Sequence, residues 1–273
     1  MINTPVFGFE KLFLENLRRE LESNSTDVYF DDFENLIVQK NQNGKNKFLV
    51  AMEVSENAFL VSDISDDGYV KISPLFEFKS SNVGDKVIIN NRIGFIVNDD
   101  KASLKVDFGV KDRKSAEKFL KLGDTMYVKP FVEQSGDAFF TNSKSFLLKD
   151  IVADIIKNTK KTSTYAFLRE GKKGAYALGK NVPAETSYFI SFVEDLKTPA
   201  AFIKKEGDFI SSYKIDDDPV TVLKTEKTSA GSYYLASGGK NIIGVGIRCE
   251  NLKNGLFKVY ISDIQDLIKM CKL

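Results

Sequence analysis

Thirty-eight aspartates and glutamates and no histidine frame the chemistry open to this 273-residue sequence. Histidine titrates closest to neutral pH and is the commonest ligand of catalytic zinc. Without it, Ser-His-Asp and Cys-His catalysis are excluded, and so is a metal site held by imidazole. Carboxylates alone could still hold magnesium, calcium or manganese. The acids that cluster are Asp31-Asp32, Asp66-Asp67 and Asp216-Asp217-Asp218. A glycosidase needs two carboxyl groups facing one cleft. Each cluster instead lies among turn residues, with Pro219 after the third, so solvated turns are expected. Cys249 has no histidine to activate it as a nucleophile and is expected in the core. Gly238-Gly239-Lys240 lacks the full phosphate-loop spacing and precedes a strand, so it is a turn. The basic pairs Lys160-Lys161 and Lys172-Lys173 are expected on solvated faces.

The elements that must position these groups follow from periodicity. Phe9, Leu12, Phe13, Leu17 and Leu21 recur at helical spacing. Val28 to Val38 and Phe48 to Met52 read as strands, joined by a turn at Asn41-Gln42-Asn43-Gly44. Short strand-like runs then follow one another: Ala58–Val61, Tyr69–Ile72, Lys86–Ile89, Ile93–Val97, Leu104–Phe108, Met126–Val132 and Ala138–Phe140. One helix, Asp112 to Leu122, interrupts them. Many short strands at close spacing predict a small β-barrel or sandwich. From about residue 143 helix and strand alternate: a helix at Phe146–Lys157, strands at Thr164–Leu168, Tyr188–Val193, Val220–Leu223 and Ile242–Ile247, and a last helix opened by a capping box at Ser262 and Gln265. The expected organisation is an α/β domain of residues 1–60 and 143–273, with a β-barrel domain of residues 61–142 inserted.

Charge and cysteine use narrow the setting. Basic and acidic residues number 39 and 38 and are spread along the chain, which predicts neither a nucleic-acid nor a membrane partner. Two cysteines without CxxC spacing suit a reduced, cytoplasmic protein. Met1-Ile2-Asn3-Thr4-Pro5 shows no secretory pattern, and no apolar run is long enough to span a bilayer.

Several ordered strings resemble the glutamyl-aminopeptidase and deblocking-aminopeptidase family of di-metal exopeptidases, some once labelled cellulase M. They are Pro5-Val6-Phe7-Gly8-Phe9-Glu10, Phe48-Leu49-Val50-Ala51-Met52 with Ala58-Phe59-Leu60-Val61, and Asp66-Asp67-Gly68-Tyr69-Val70. Further along come Gly84-Asp85-Lys86-Val87 with Gly94-Phe95-Ile96, then Val106-Asp107-Phe108-Gly109 with Ser115-Ala116-Glu117 and Gly123-Asp124. The resemblance implies a mixed-sheet, three-layer zinc-exopeptidase-like α/β domain with the inserted barrel, and a tendency to form large hollow oligomers.

It also implies which positions would hold two metals. The first family histidine falls on Glu53 and the aspartate after it on Ser55, while the next glutamate survives as Glu56. The bridging aspartate's string reads Phe146-Leu147-Leu148-Lys149, which leaves leucine at Leu147. The catalytic glutamate and its neighbouring ligand, before Glu170-Gly171-Lys172-Lys173-Gly174-Ala175, have become Leu168 and Arg169. The last histidine falls near Asn254. One further carboxylate belongs between Ile190 and Glu194, in a register that leaves Glu194 open as a survivor. Leucine offers no donor and arginine repels cations, so no metal, cofactor or catalytic residue is expected. Arg169 is expected to pair with Glu53 or Glu56. A catalytically silent aminopeptidase-fold protein acting as a binding or assembly subunit is the resulting expectation. Its partners would be further copies or a related peptidase subunit, and possibly peptides. An active metallo-aminopeptidase with an altered metal site, and an unrelated non-enzymatic α/β protein, stand as alternatives.

Overall fold

The computed structural model describes residues 10–22, 26–41, 48–54, 56, 58–75, 83–100, 103–169, 186–194, 200–204, 222–224, 242–252 and 255–270. The chain divides into two compact units. One is Met1–Ser55 with Val132–Asn251 and Phe257–Leu273; the other is Glu56–Phe131 with Leu252–Leu256.

The larger unit is a mixed α/β structure. Its strands are β1 (Thr26–Phe30), β2 (Leu36–Lys40) and β3 (Phe48–Glu53). In chain order six strands of the second unit come next, between Phe59 and Val128. The larger unit then resumes with β10 (Val132–Ser135), β11 (Ala138–Thr141), β12 (Ser163–Leu168), β13 (Thr186–Glu194), β14 (Ala200–Lys204), β15 (Val222–Lys224), β16 (Ile242–Asn251) and β17 (Phe257–Tyr260). They form one sheet in the order β1-β2-β12-β3-β13-β16-β17-β11-β10, with β14 pairing β15 and β16. The centre, β12-β3-β13-β16, is parallel. Every residue of β12 is buried, as a strand covered on both faces requires.

Helix α1 (Lys11–Leu21) buries Phe13, Leu14, Leu17 and Leu21, while Arg18 and Arg19 sit favourably at its negative end. The expected Leu12 instead faces solvent, because Leu14 completes the apolar stripe. Helix α3 (Lys144–Asn158) starts where the Ser143 hydroxyl accepts the Phe146 N–H at 3.1 Å. It buries Leu147, Leu148, Ile151, Val152, Ile155 and Ile156 in the same core as Val50, Met52, Tyr165, Phe167 and Ile190. The opposite face of the sheet carries Ile37, Leu49, Ala51, Ala166, Leu168 and Phe189.

The second unit contains a closed barrel in the order β4-β5-β8-β7-β6-β9. Its strands are β4 (Phe59–Ile64), β5 (Val70–Pro74), β6 (Lys86–Ile89), β7 (Arg92–Asp100), β8 (Ser103–Asp107) and β9 (Thr125–Val128). Phe59, Val61, Ile72, Val87, Ile96, Val106 and Met126 point inward. Asn90 and Asn91, at φ 44° and 65°, turn β6 into β7, the left-handed pair that a tight hairpin needs.

Four expectations change. The single strand from Val28 to Val38 is a hairpin. Asp31 accepts the Phe33 and Asn35 amides at 2.9 Å, and Glu34 turns the chain at φ 59°. The strand from Met126 to Val132 breaks at Pro130, which has no N–H for a ladder. The helix from Asp112 to Leu122 shrinks to α2 (Arg113–Glu117), capped by Asp112 through the Ser115 N–H at 2.8 Å. The last helix, α4, is Ile261–Met270. Ser262 thus lies inside it, donating to Asp263 at 3.3 Å. Strands β14 and β17 were not expected: the first is alanine-rich, the second runs into α4 without turn residues. The turn at Gln42, Asn43 and Gly44, the triple aspartate at 216–218, and Gly238-Gly239-Lys240 lie outside the described residues.

Candidate functional site

Parallel strands bring their carboxyl ends to one edge, and that edge is where α/β sheets place chemistry. Here the edge is made by the ends of β12, β3, β13 and β16. Register sets who stands where. Leu168 is level with Glu53, and the Val54 N–H donates to the Leu168 carbonyl at 3.2 Å. Glu194 is level with Cys249.

Alternation then sorts the side chains. Met52 packs on the α1/α3 face and Ala51 on the other, so Glu53 belongs to the face that carries Leu168. Phe167 belongs to the α1/α3 face, and Arg169, two residues on, returns to it. Leu147 is on that face too, in the first turn of α3, and is 1% exposed. Leu147 and Leu168 therefore stand on opposite faces of the sheet, and neither side chain offers a donor.

Arg169 is the centre of a charged cluster. Its guanidinium lies 3.5 Å from the Glu10 carboxylate and against that of Glu34. Glu10 occupies the N-cap of α1 and is fully buried, where the helix dipole also favours a negative charge. Lys11 reaches Glu34 at 3.2 Å. The Arg169 backbone N–H donates to the Asn35 side-chain oxygen at 3.0 Å, and Asn35 donates to Asp31 at 2.8 Å. The cluster thus ties the end of β12 to α1 and to the β1–β2 turn. The expected arginine–carboxylate pairing is present with different acids: the carboxylates described against Arg169 are Glu10 and Glu34, while alternation sends Glu53 to the other face. Beside the cluster runs a groove of about 570 Å³ lined by Lys11, Glu15, Arg18, Arg19, Phe30 and Glu34 among others. Two of its ion pairs are closed internally, Arg18 with Glu22 at 2.8 Å and Lys11 with Glu34.

A second charged contact sits at the end of β13. The Lys144 ammonium, at the start of α3, reaches Glu194 at 2.6 Å and lies 4.1 Å from the centre of the Phe257 ring. Asn251 donates to the other Glu194 oxygen at 3.1 Å. The one carboxylate left open as a surviving ligand is thus held by an ammonium and an amide.

The described residues of this edge do not fit a di-metal centre. Among the described residues no three Asp, Glu or Cys side chains converge as a metal-binding group. Leu147 and Leu168 are buried hydrocarbon, and Arg169 and Lys144 bring positive charge against the carboxylates of this edge. Asn254, Ser55, Glu170 and Lys172-Lys173 lie outside the described residues. Glu56 belongs to the barrel unit. Sequence reasoning missed Glu10, Glu34, Asn35 and Lys144. The only signal was Glu10 at the head of an amphipathic helix, an ordinary place for an acid.

No protein-family model matches the chain. The fold, however, is that of known aminopeptidases. A TET aminopeptidase from a marine sediment thaumarchaeon superposes with a TM-score of 0.74 at 15% identity, covering 99% of this chain and 92% of that one. The TET1 peptidase of Pyrococcus horikoshii, which can assemble into a tetrahedron or a large octahedral shell, gives 0.72 at 16%, covering 100% and 95%. An endoglucanase from Thermotoga maritima gives 0.71 at 16%, covering 99% and 93%. A mixed α/β sheet with a closed six-stranded barrel is thus shared along nearly the whole chain.

Proposed function

We propose that this chain is a catalytically silent protein of the aminopeptidase fold that acts as a binding or assembly subunit, joining further copies or a related peptidase. Leu147 carries the reading. The resemblance places the metal-bridging carboxylate there, and a leucine buried in the main core can neither bridge two cations nor be reached by them. Arg169 supports it, because a guanidinium holding Glu10 supplies the positive charge that a metal would bring. The chain has no histidine to supply an imidazole ligand. Assembly is supported by the Pyrococcus horikoshii relative in fold, which can assemble into a tetrahedron or a large octahedral shell.

The test uses protein purified without chelator. Bound zinc, cobalt and manganese are measured, and cleavage of aminoacyl chromogenic substrates is followed with each metal added in turn. Less than a tenth of a metal per chain and no turnover are expected. Stoichiometric metal with turnover would establish an active metallo-aminopeptidase with an altered site instead. Light scattering on the eluting protein reads the assembly half of the proposal separately.

A further inference from the structure

Strand β1 ends the larger sheet: among the described residues it pairs with β2 alone. The register tells which of its backbone groups face outward. Phe30 is level with Leu36, and one step on the Asp31 N–H donates to the Asn35 carbonyl at 3.1 Å. In an antiparallel pair the N–H and C=O of one residue point the same way, and the direction alternates along the strand. Asp31, Tyr29 and Asp27 therefore bond toward β2, while the N–H and C=O of Val28 and Phe30 point to the open edge. Among the described residues nothing pairs with those four groups. The five-residue register runs without a bulge, and the strand has neither proline nor lysine, devices that commonly blunt an edge. Such an edge is a template for an added strand.

The groove described above runs beside this edge. Its helix wall is Lys11, Glu15, Arg18 and Glu22, three or four residues apart on one stripe of α1, with Arg19 next to them and Phe30 opposite. The Thr26 hydroxyl donates to the Leu21 carbonyl at 2.8 Å, and Lys11 meets Glu34 beyond the other end of β1, so α1 and β1 run antiparallel along the groove. The Arg18 guanidinium lies 5.9 Å from the centre of the Phe30 ring. Val28 and Phe30 both face α1. A strand added at the open edge would therefore send every second side chain into the groove.

The groove says which side chains those are. The one level with Phe30 meets an aromatic ring. The one level with Val28 lies toward the end of α1, where Arg19 stands. Arg18 is held by Glu22 and Lys11 by Glu34, whereas among the described residues nothing pairs with Arg19. We infer that the open edge of β1 and this groove bind an extended peptide, added as a strand, that alternates an apolar side chain on Phe30 with an acidic one on Arg19. Main-chain bonds to Val28 and Phe30 supply affinity, and the two side chains supply selection. The inference rests on the binding half of the proposed function and needs neither assembly nor a silent site.

The probe is the fluorescein-labelled peptide Thr-Phe-Thr-Asp-Thr-Phe-Thr, which presents the pattern in both directions. Fluorescence anisotropy with the full chain should give a Kd of about 10 to 100 µM, as expected of so small an interface. Lysine for aspartate in the probe, or Arg19→Glu in the chain, should each weaken binding at least about tenfold, and the two together should recover it. Methylating the probe's phenylalanine and aspartate amides removes the donors of an antiparallel strand; methylating its threonine amides removes those of a parallel one. One set should abolish binding and the other spare it. In the chain alone the Val28 and Phe30 amides should exchange faster than that of Tyr29, and saturating probe should slow both at least about tenfold. Circular dichroism confirms that Arg19→Glu folds, and the methylated probes read strand addition without any change to the chain. No binding at about 500 µM chain, equal effects of the two methylated sets, or protection of the Val28 and Phe30 amides without probe overturns the inference. That last outcome would mean that the chain itself or a second copy already covers the edge. A lysine probe that binds the wild-type chain as well as the aspartate probe overturns the assigned acid. Metal content and turnover read the silence of the site separately, so the two readings fail independently.

Discussion

The two units bury different things. Among the described residues, every polar or charged side chain that is fully buried lies in the α/β unit: Glu10, Asn35, Thr141, Ser143, Ser163, Thr164 and Asp263, with Lys40 at the limit. The barrel core is hydrocarbon throughout, and its ion pairs, Asp63 with Lys71 and Arg113 with Asp66 and Glu117, stay at the surface. Burying a charge is costly unless geometry and hydrogen bonds compensate. Among the described residues the α/β unit bears that cost with two arginine–carboxylate contacts. One is Arg169 against Glu10; the other is Arg248, which holds the buried Asp263 through two bonds at 2.8 and 3.1 Å. The barrel's constraint is instead steric, for Gly94 is packed so closely that a Cβ there would lie 2.7 Å from Val106 and 2.8 Å from the Phe108 ring. Polar burial marks the α/β unit; close packing of hydrocarbon and glycine marks the barrel.

The strongest way to break this contrast is to put an acid where the resemblance asks for one. Leu147→Asp would place a carboxylate in the apolar main core. The expected loss is about 4 kcal/mol or more, enough to unfold a marginal domain. Amide exchange should quicken across α3, β2, β3 and β12 before it does in the barrel strands, and zinc or manganese should not protect. A variant that stays folded and gains metal would show that the leucine plugs a site that is otherwise intact.

Arg169→Leu comes next. It removes the cation from a fully buried Glu10, and losing one partner of a buried pair costs about 3 kcal/mol. Urea denaturation should show the midpoint falling without a change of slope. Glu10→Gln in the same chain should recover part of the loss, since the buried negative charge goes with it. No change in the single variant would mean that the contact between Arg169 and Glu10 adds nothing to stability.

Much of this was legible from residue types, but not the pairs. The absence of histidine needs no coordinates. Helix α3 showed through its apolar period, and the barrel strands through their short runs. Glu10 and Glu34, the partners of Arg169, could not be read because both lie far from it in the chain and each looks like an ordinary surface acid. Only the register of β12 beside β2 and β3, together with the turn at Glu34, brings the three together. That turn was half legible: Asp31-Asp32 was expected in a solvated turn, yet the strand was read straight through it, because the Asp31 side chain makes the turn without glycine or proline. Lys144 and Glu194 pair because α3 starts beside the end of β13, which no local pattern announces.

Gly94→Ala tests the steric half of the contrast. The new methyl must push on Val106 and on the Phe108 ring, and overpacking of this kind costs about 2 kcal/mol. The effect should stay within the barrel: exchange should quicken in β6, β7 and β8, while the amides of β3 and β12 keep their protection. Spread into β3 and β12 would show that the two units fold as one cooperative body.

The smallest effect belongs to the barrel's surface charges. The Lys71 ammonium bonds Asp63 at 3.0 Å and, with lesser help from the Ile64 amide and the charge of Arg113, holds the Asp63 carboxyl below the usual carboxylate range. The sign follows from linkage. A carboxyl whose pKa is lower in the folded chain than in the unfolded one stabilises the fold above its unfolded pKa. That contribution fades as the pH falls through the folded value. Both side chains are more than two-fifths exposed, so water and salt screen the pair and its share of stability is slight. A carbon-detected NMR titration should place Asp63 below the ordinary carboxylate value, and Lys71→Met should raise it toward that value. If Asp63 titrates normally in the wild-type chain, the Lys71 pair does not form in solution. The barrel's surface charges then add nothing, and its stability rests on the hydrocarbon core alone.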